Sequence, residues 1–438
     1  MLPAARLKAV IDLLERTESA RIPMDATVGD YMRNRRYIGS KDRAAIVDQV
    51  YTMTRHHSRI GWWLSRLNLD DTPRNRAFIF LRAHEGLSPQ KINSLFDGSK
   101  FSEAPLDETE KNILLQIEPE SVDHPDMPDD VLVECPPQYV DTLKTFYDDR
   151  FMNEMKAMMV PASLDLRTNP IHETRENTAR SLHADGVKTD LMPFSPWGLR
   201  VHGKAYLSET KAFRKGAVEI QDEGSQLIAL ACGARPGMQV LDYCAGAGGK
   251  TLALAGAMSA EGRPKGRIVA MDLEASRLEK ARQRFRRAGA HDIIEVRPLS
   301  DERHRKWLKR QKQTFDIVLA DVPCSGTGTW RRNPDMRWRN FGPSLDDLIK
   351  TQSEILDRVA GTVKPGGRLV YATCSLLPAE NENQIEGFLK RHPAFSLVRF
   401  SDIWEGPAAI PDGCQHFMRL SPARHHTDGF FAAILTRI

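Results

Sequence analysis

No apolar run in the 438 residues approaches the roughly 18 that a membrane helix requires, so a helical membrane span is excluded. No C-x-x-C pair occurs among the six cysteines (Cys135, Cys232, Cys244, Cys324, Cys374 and Cys414), which argues against a zinc knuckle and against a structural metal. The opening MLPAARLKAVIDLLERTES lacks the basic start, apolar centre and small-residue cleavage site of an export signal, and reads as an amphipathic helix. A cytoplasmic protein with reduced thiols is the expectation. No internal repeat or low-complexity tract is present, and neither sign of charge dominates. With 62 Lys and Arg against 58 Asp and Glu, the net charge is only +4.

The chain does contain basic residues in bunches, at 277–287 (RLEKARQRFRR), 303–312 (RHRKWLKRQK) and 331–339 (RRNPDMRWR). Each run alone reads as a solvated helix face. Together they point to a polyanion, with nucleic acid favoured. The length implies several domains. Residues 1 to about 118 carry helical spacing (LKAVIDLLE, DRAAIVDQVYTM, IGWWLSRL, RAFIFLRAH, EKNILLQI), and the acidic, proline-containing IEPESVDHPDMPDD reads as a linker. The next stretch mixes helices with the short strands SLDLRTN, GLRVHG and AVEIQD, as a small α+β module would. From about Gln226, apolar strands alternate with helices, predicting a parallel sheet covered on both faces, with FFAAILTR as a final edge strand. The expected domains are 1–125, all helical; 126–215, α+β; and 216–438, Rossmann-like α/β.

Two cysteines sit in small-residue turns just past two of these strands, in DVPCSG (Cys324) and YATCS (Cys374). In an open α/β sheet the carboxyl ends of the strands face the ligand crevice, so both thiols are expected at one rim. A cysteine is most often a small buried apolar residue. Two in rim turns favour covalent chemistry instead, with the amides of Ser325 to Gly328 and the charges of Arg331 and Arg332 expected to favour thiolate. The glycine-rich LDYCAGAGGKT follows a strand and opens a helix, letting a ligand approach the backbone. It fails the phosphate-loop pattern G-x-x-x-x-G-K-S/T, because Cys244 stands where the first Gly belongs. Asp272 ends the next strand, where an acid can accept ribose hydroxyls; as an alternative or in addition, it caps the following helix. Such a site suits S-adenosylmethionine or a dinucleotide, and the two thiols favour methyl transfer.

The segments DVPCSGTGTWRRNPDMRW and KPGGRLVYATCSLLPAENE resemble the Fmu/Sun (NOL/NOP/Sun) RNA cytosine-5 methyltransferases. LDYCAGAGGKT, FRKGAVEIQDEGSQL, TQSEILDRVAGTVKPGG and RLSPARHHTDGFFAA extend the likeness over most of residues 213 to 438. More weakly, the region around YIGSKDRAAIVDQVY is similar to the NusB-like domain of the bacterial small-subunit rRNA branch, and residues 131 to 215 resemble that family's RRM-like module.

The resemblance implies that Cys374 attacks cytosine C6, that Cys324 assists release of the C5 proton, and that Asp321 hydrogen-bonds the N3 edge beside the cofactor. A thiolate at C6 is what makes C5 nucleophilic. Because bacterial DNA cytosine methyltransferases attack with the Pro-Cys thiol, an exchange of the two cysteines' roles stays open. For S-adenosylmethionine, the resemblance carries Cys244, Ala245, Gly246, Ala247, Gly248, Gly249 and Lys250 onto the methionine portion, Asp272 onto the ribose and Asp301 onto the adenine edge. Asp301 can instead simply cap its helix, and Lys250 can pair with a carboxylate. Gly246-Ala247 stands where many relatives have Ala-Pro, which predicts a looser turn. Arg331, Arg332, Arg337 and Arg339 are the expected phosphate grips, with Trp330 and Trp338 either stacking on bases or packing in the core. The expected partner is small-subunit (16S) rRNA, bound by a monomer with neither metal nor membrane. The rival readings are a DNA cytosine-5 methyltransferase and a catalytically silent ribosome assembly factor.

Overall fold

The five apolar-faced segments of the first 118 residues form helices in the computed structural model, at Pro3–Ser19, Ser40–Arg55, His57–Arg66, Pro73–Ala83 and Glu108–Leu114. The structure describes residues 1–119 and 121–438. Pro73–Ala83 begins where Thr72 accepts from the Asn75 amide, and Ala77 through Leu81 are all buried, so this helix is the apolar centre of its bundle. The acidic stretch expected to be a linker is instead part of the bundle. Ile117, Val122 and Met127 lie in the core, Trp63 Nε1 donates to the Val122 carbonyl at 2.9 Å, and Arg59 pairs with both Asp123 and Glu134.

The chain divides into two compact units, Met1–Val160 with Trp330–Gly342, and Pro161–Thr329 with Pro343–Ile438. The helical unit therefore runs past the expected end at residue 125 and takes in a segment from far downstream. That segment corrects the expectation that Arg331, Arg337 and Arg339 grip phosphates. Trp330 is 1% exposed, Arg337 is 3% exposed with its guanidinium 4.7 Å from the Trp330 ring centre, and Arg331 is buried. Burial pulls Arg337 down to about 10, the signature of a cation withdrawn from water. Arg339 donates to the Thr17 and Ala20 carbonyls, Asp335 accepts from the Met24 amide at 2.7 Å, and Trp338 stacks on His57 with ring centres 4.7 Å apart. Trp330 is enclosed beside Arg337 and Trp338 is stacked on His57, so both tryptophans pack within the unit.

The second unit opens with a β-α-β-β-α-β module. Its strands β1 (Asp165–Thr168), β2 (Thr189–Leu191), β3 (Gly198–Val201) and β4 (Val218–Ile220) lie in the order β2-β3-β1-β4, with every neighbour antiparallel. Next come β5 (Gln239–Asp242), β6 (Arg267–Asp272), β7 (Ile294–Pro298), β8 (Phe315–Asp321), β9 (Val363–Thr373), β10 (Phe395–Val398), β11 (Met418–Leu420) and β12 (Phe430–Arg437). They form one sheet in the order β10-β12-β9-β8-β5-β6-β7, with β11 also paired to β12. Period two assigns alternate side chains to opposite faces: Val240, Ile268, Ile317 and Val370 join one core cluster, and Leu241, Val269, Val318 and Leu369 the other. FFAAILTR is not an edge strand. It runs antiparallel between β9 and β10, and Phe430 through Leu435 are buried, which an edge position would not allow. The strand order reverses between β5 and β8, so the crevice opens past Asp242 and Asp321.

Candidate active site

Parallel pairing of β8 with β9 sets Asp321 opposite Ala372. Cys324 and Cys374 follow a few residues beyond that pair, and the register alone brings their turns together. The two sulfurs are 3.4 Å apart, and both residues keep partial access to solvent, as does Cys244, while Cys135, Cys232 and Cys414 are core residues. The turns are also tied by their backbones, with the Gly328 amide donating to the Cys374 carbonyl at 2.9 Å. A Cβ at Gly328 would meet the Gly429 carbonyl oxygen at 2.1 Å, so only glycine permits this approach.

A side chain the sequence reading had not singled out holds both turns. Glu380 is fully buried, and its carboxylate accepts from the Ser325 amide at 2.8 Å, from the Ser325 and Ser375 hydroxyls, and from Gln352 Nε2 at 2.9 Å. Ser325 and Ser375 directly follow the two cysteines, so one carboxylate fixes both. In the sequence this acid looks like any other; only its place within PAENE marked it, as part of a family likeness. Replacing Glu380 by Gln removes acceptor capacity that several donors share, and buried donors left unpaired are costly. The expected result is a loss of about 1–3 kcal/mol of stability, read by thermal or urea unfolding. An unchanged unfolding midpoint would mean that the cluster re-pairs without the carboxylate.

Cys324 is pushed well above the usual thiol range, first by its hydrogen bond with Cys374, then by burial and by the Cys374 and Glu380 charges. This reverses the expectation that neighbouring amides and arginines would make it a thiolate; the Gly326 amide acts in that direction but is outweighed. Lys250 pairs with Asp321 at 2.7 Å, as anticipated among its options. Burial works against its ammonium, yet Asp321 more than compensates, and Cys374 is among the groups that favour the charge. Lys250 is therefore a fixed cation within electrostatic reach of Cys374.

The glycine-rich loop runs from β5 into the helix Gly249–Ala257. Gly248 adopts φ +79°, and a Cβ there would lie 2.4 Å from the Phe285 ring. Asp272 accepts from the Gly246 amide at 2.8 Å and from the Glu274 amide at 2.9 Å. The helix that follows starts at Ala275 with Glu274 as its cap, so Asp272, the last residue of β6, is not the cap and instead holds the loop through Gly246. That bond also tightens the Gly246-Ala247 turn expected to be loose. Asp301 does cap the helix Glu302–Lys309, and its hydrogen bonds with Arg303 hold its carboxyl down at about 2. Asp242, at the end of β5, accepts from Thr251 Oγ1 at 2.6 Å, while its other oxygen is buried with no partner. Burial pushes this carboxyl up to about 7. A loop of small residues, a ribose-height acid and a buried carboxylate oxygen awaiting a donor fit a ligand that carries both a nucleoside and an amine. Among the described residues no group of His, Cys, Asp and Glu is placed to hold a metal ion, and no helix is long and apolar enough to cross a membrane.

Residues 229–436 match the family described as 16S rRNA methyltransferase RsmB/F. The probable ribosomal RNA small subunit methyltransferase B of Synechocystis sp. is 36% identical over 277 residues, 63% of this chain and 60% of that protein. Ribosomal RNA small subunit methyltransferase B of Salmonella paratyphi B is 33% identical over 68% of this chain and 65% of its own length. The chain thus spans less than two thirds of these relatives. Among solved structures, PH0851 has the same fold, with a TM-score of 0.76 at 24% identity over 100% of this chain and 99% of that one. A methyltransferase homolog from Pyrococcus horikoshii aligns at 25% identity and a TM-score of 0.56, over 71% of this chain and 98% of that one.

Proposed function

We propose, from the match of residues 229–436 to the family described as 16S rRNA methyltransferase RsmB/F, that the protein methylates C5 of a cytosine in small-subunit rRNA through a covalent adduct with Cys374. The observation that carries this reading is the pair of sulfurs 3.4 Å apart beside the Lys250–Asp321 ion pair at the carboxyl ends of adjacent strands. Addition of the Cys374 thiolate to C6 moves an electron pair of the ring toward C5 and N3. Cys324, protonated, is the hydrogen-bond donor to Cys374 before attack, and Lys250 supplies the nearby positive charge. Asp321, oriented by Lys250, takes the N3 edge of the ring. Once C5 carries its methyl group, its proton leaves, the C6–sulfur bond breaks and the Cys374 thiolate is regenerated. Cys324 takes that proton: once Cys374 is bound to C6 its charge no longer opposes ionisation of Cys324, which releases its own proton to solvent and then accepts the one from C5.

S-adenosylmethionine supplies the methyl group when bound. Cys244 through Lys250 would face its methionine portion, Asp272 its ribose and Asp301 its adenine, and Asp242 has the free oxygen to meet the amine. The pH dependence follows from Asp242. Its folded value of about 7 lies above the ordinary carboxyl value, so the folded protein keeps a proton that the unfolded chain has lost. The stability this gives is lost as pH rises from the ordinary carboxyl value toward 7. A cationic ligand prefers the carboxylate, so its binding should tighten about tenfold between pH 6 and 8 and then level off. Asp242→Asn should flatten that profile in calorimetric titrations; a profile equally steep in the variant would remove Asp242 from the site.

The helical unit is read as a NusB-like RNA-docking domain. The small sheet is read as RRM-like, although β1 and β3 hold no aromatic side chain with which such sheets stack bases. Arg332, partly exposed, remains a candidate phosphate contact. The protein is read as a cytoplasmic monomer. The direct test is labelled methyl transfer to a small-subunit rRNA transcript, followed by nucleoside analysis for 5-methylcytosine. Methylation of duplex DNA instead, or of no RNA at all, would overturn the reading.

A further inference from the structure

A buried charge that this chemistry leaves unused lies in the small sheet. Arg167 sits on β1, 1% exposed, directly across from Glu219 on β4. A guanidinium withdrawn from water costs several kcal/mol unless its donors are met. Here Nη1 carries the bonds, one of which leaves the module, while Nε is buried without a partner. Arg167 donates at 2.8 Å to Gln221 Oε1 and, at the same distance, to the carbonyl of Gly249, where the glycine-rich loop turns into its helix. Glu219 holds Arg284 at 2.9 Å and also Arg287, and Arg284 donates at 2.6 Å to the carbonyl of Ala247 in the same loop. One cross-strand pair thus fixes two loop carbonyls by separate routes. In a trans peptide the carbonyl and the following amide point in opposite directions, so holding the Ala247 and Gly249 oxygens orients the Gly248 and Lys250 amides. Lys250 is also the residue that pairs with Asp321.

We propose that Arg167 and Glu219 are positioning residues for the cofactor loop, so that the small sheet acts as a brace for S-adenosylmethionine binding. This rests on the methyltransferase reading above and extends it, because it gives the module a task that needs no contact with RNA. The absence of stacking aromatics on β1 and β3 accords with that task, as does the complete burial of β1.

The test is calorimetric binding of S-adenosylmethionine to the full chain, alongside RNA binding by the cofactor-free protein. Arg167→Met fills the space without donors, Arg167→Lys restores one donor, and Arg284→Ala removes the second route from a partly exposed position. A lost charge-assisted hydrogen bond corresponds to weakening of cofactor binding by about tenfold in Arg167→Met and Arg284→Ala. Arg167→Lys should recover part of it, and RNA binding should stay unchanged in all three. If Arg167→Met does not fold, Arg284→Ala decides. Cofactor binding unaltered in folded variants, or RNA binding lost in its place, would overturn the brace. A wild-type protein that binds no S-adenosylmethionine would overturn the methyltransferase reading itself.

Discussion

Alanine at Cys374 is expected to abolish methyl transfer, by about 10⁴-fold or more, since removing a covalent nucleophile leaves only the binding contributions of the site. No protein–RNA adduct should appear on a denaturing gel when this variant is mixed with transcript and labelled cofactor. Alanine at Cys324 should do the opposite: the adduct forms, its C5 proton leaves slowly, and the cross-linked species accumulates. The asymmetry follows from electrostatics, because Cys324 is the thiol pushed up by its partner and by burial, while Lys250 lies within electrostatic reach of Cys374. Accumulation in the Cys374 variant and none in the Cys324 variant would exchange the two roles.

The second large effect is expected at Asp321. Asp321→Asn should lower the single-turnover rate at saturating cofactor by about 10²–10⁴-fold, the range for loss of a positioned polar group acting on the reacting ring. Part of that loss has a second origin. Lys250 is nearly buried, and Asp321 is what outweighs the cost of burying its ammonium. If the two act as a unit, Lys250→Met combined with Asp321→Asn will cost little more than the worse single variant. Full additivity, or a loss below about fivefold in Asp321→Asn, would count against Asp321 facing the base.

The alternation of apolar strands and helices from β5 to β9 was legible because a parallel sheet buried on both faces leaves unbroken apolar runs, and the meeting of the two cysteine turns follows from strand register. Glu380 was not legible, since nothing in a sequence separates an acid that clamps two turns from one that faces water. Nor was the character of Trp330 to Arg339. Arginines interleaved with tryptophans look alike whether they face phosphates or complete a core, and only the backbone carbonyls of Thr17, Ala20 and the ring of Trp330 decide between them. The proline-rich acidic stretch misled for a related reason: its few apolar residues, Ile117, Val122 and Met127, are spaced five apart, the period of neither helix nor strand, yet all are buried.

The docking of Trp330–Gly342 among the amino-terminal helices has a consequence for biosynthesis. A chain emerging from the ribosome can assemble most of its first unit by residue 160, but the hydrophobic seat of Trp330 stays vacant until more than twice that length has been translated. A fragment ending at Val160 should therefore be less stable than the same helices in the whole chain. Adding a synthetic peptide of residues 330–342 should raise its melting temperature in proportion to occupancy.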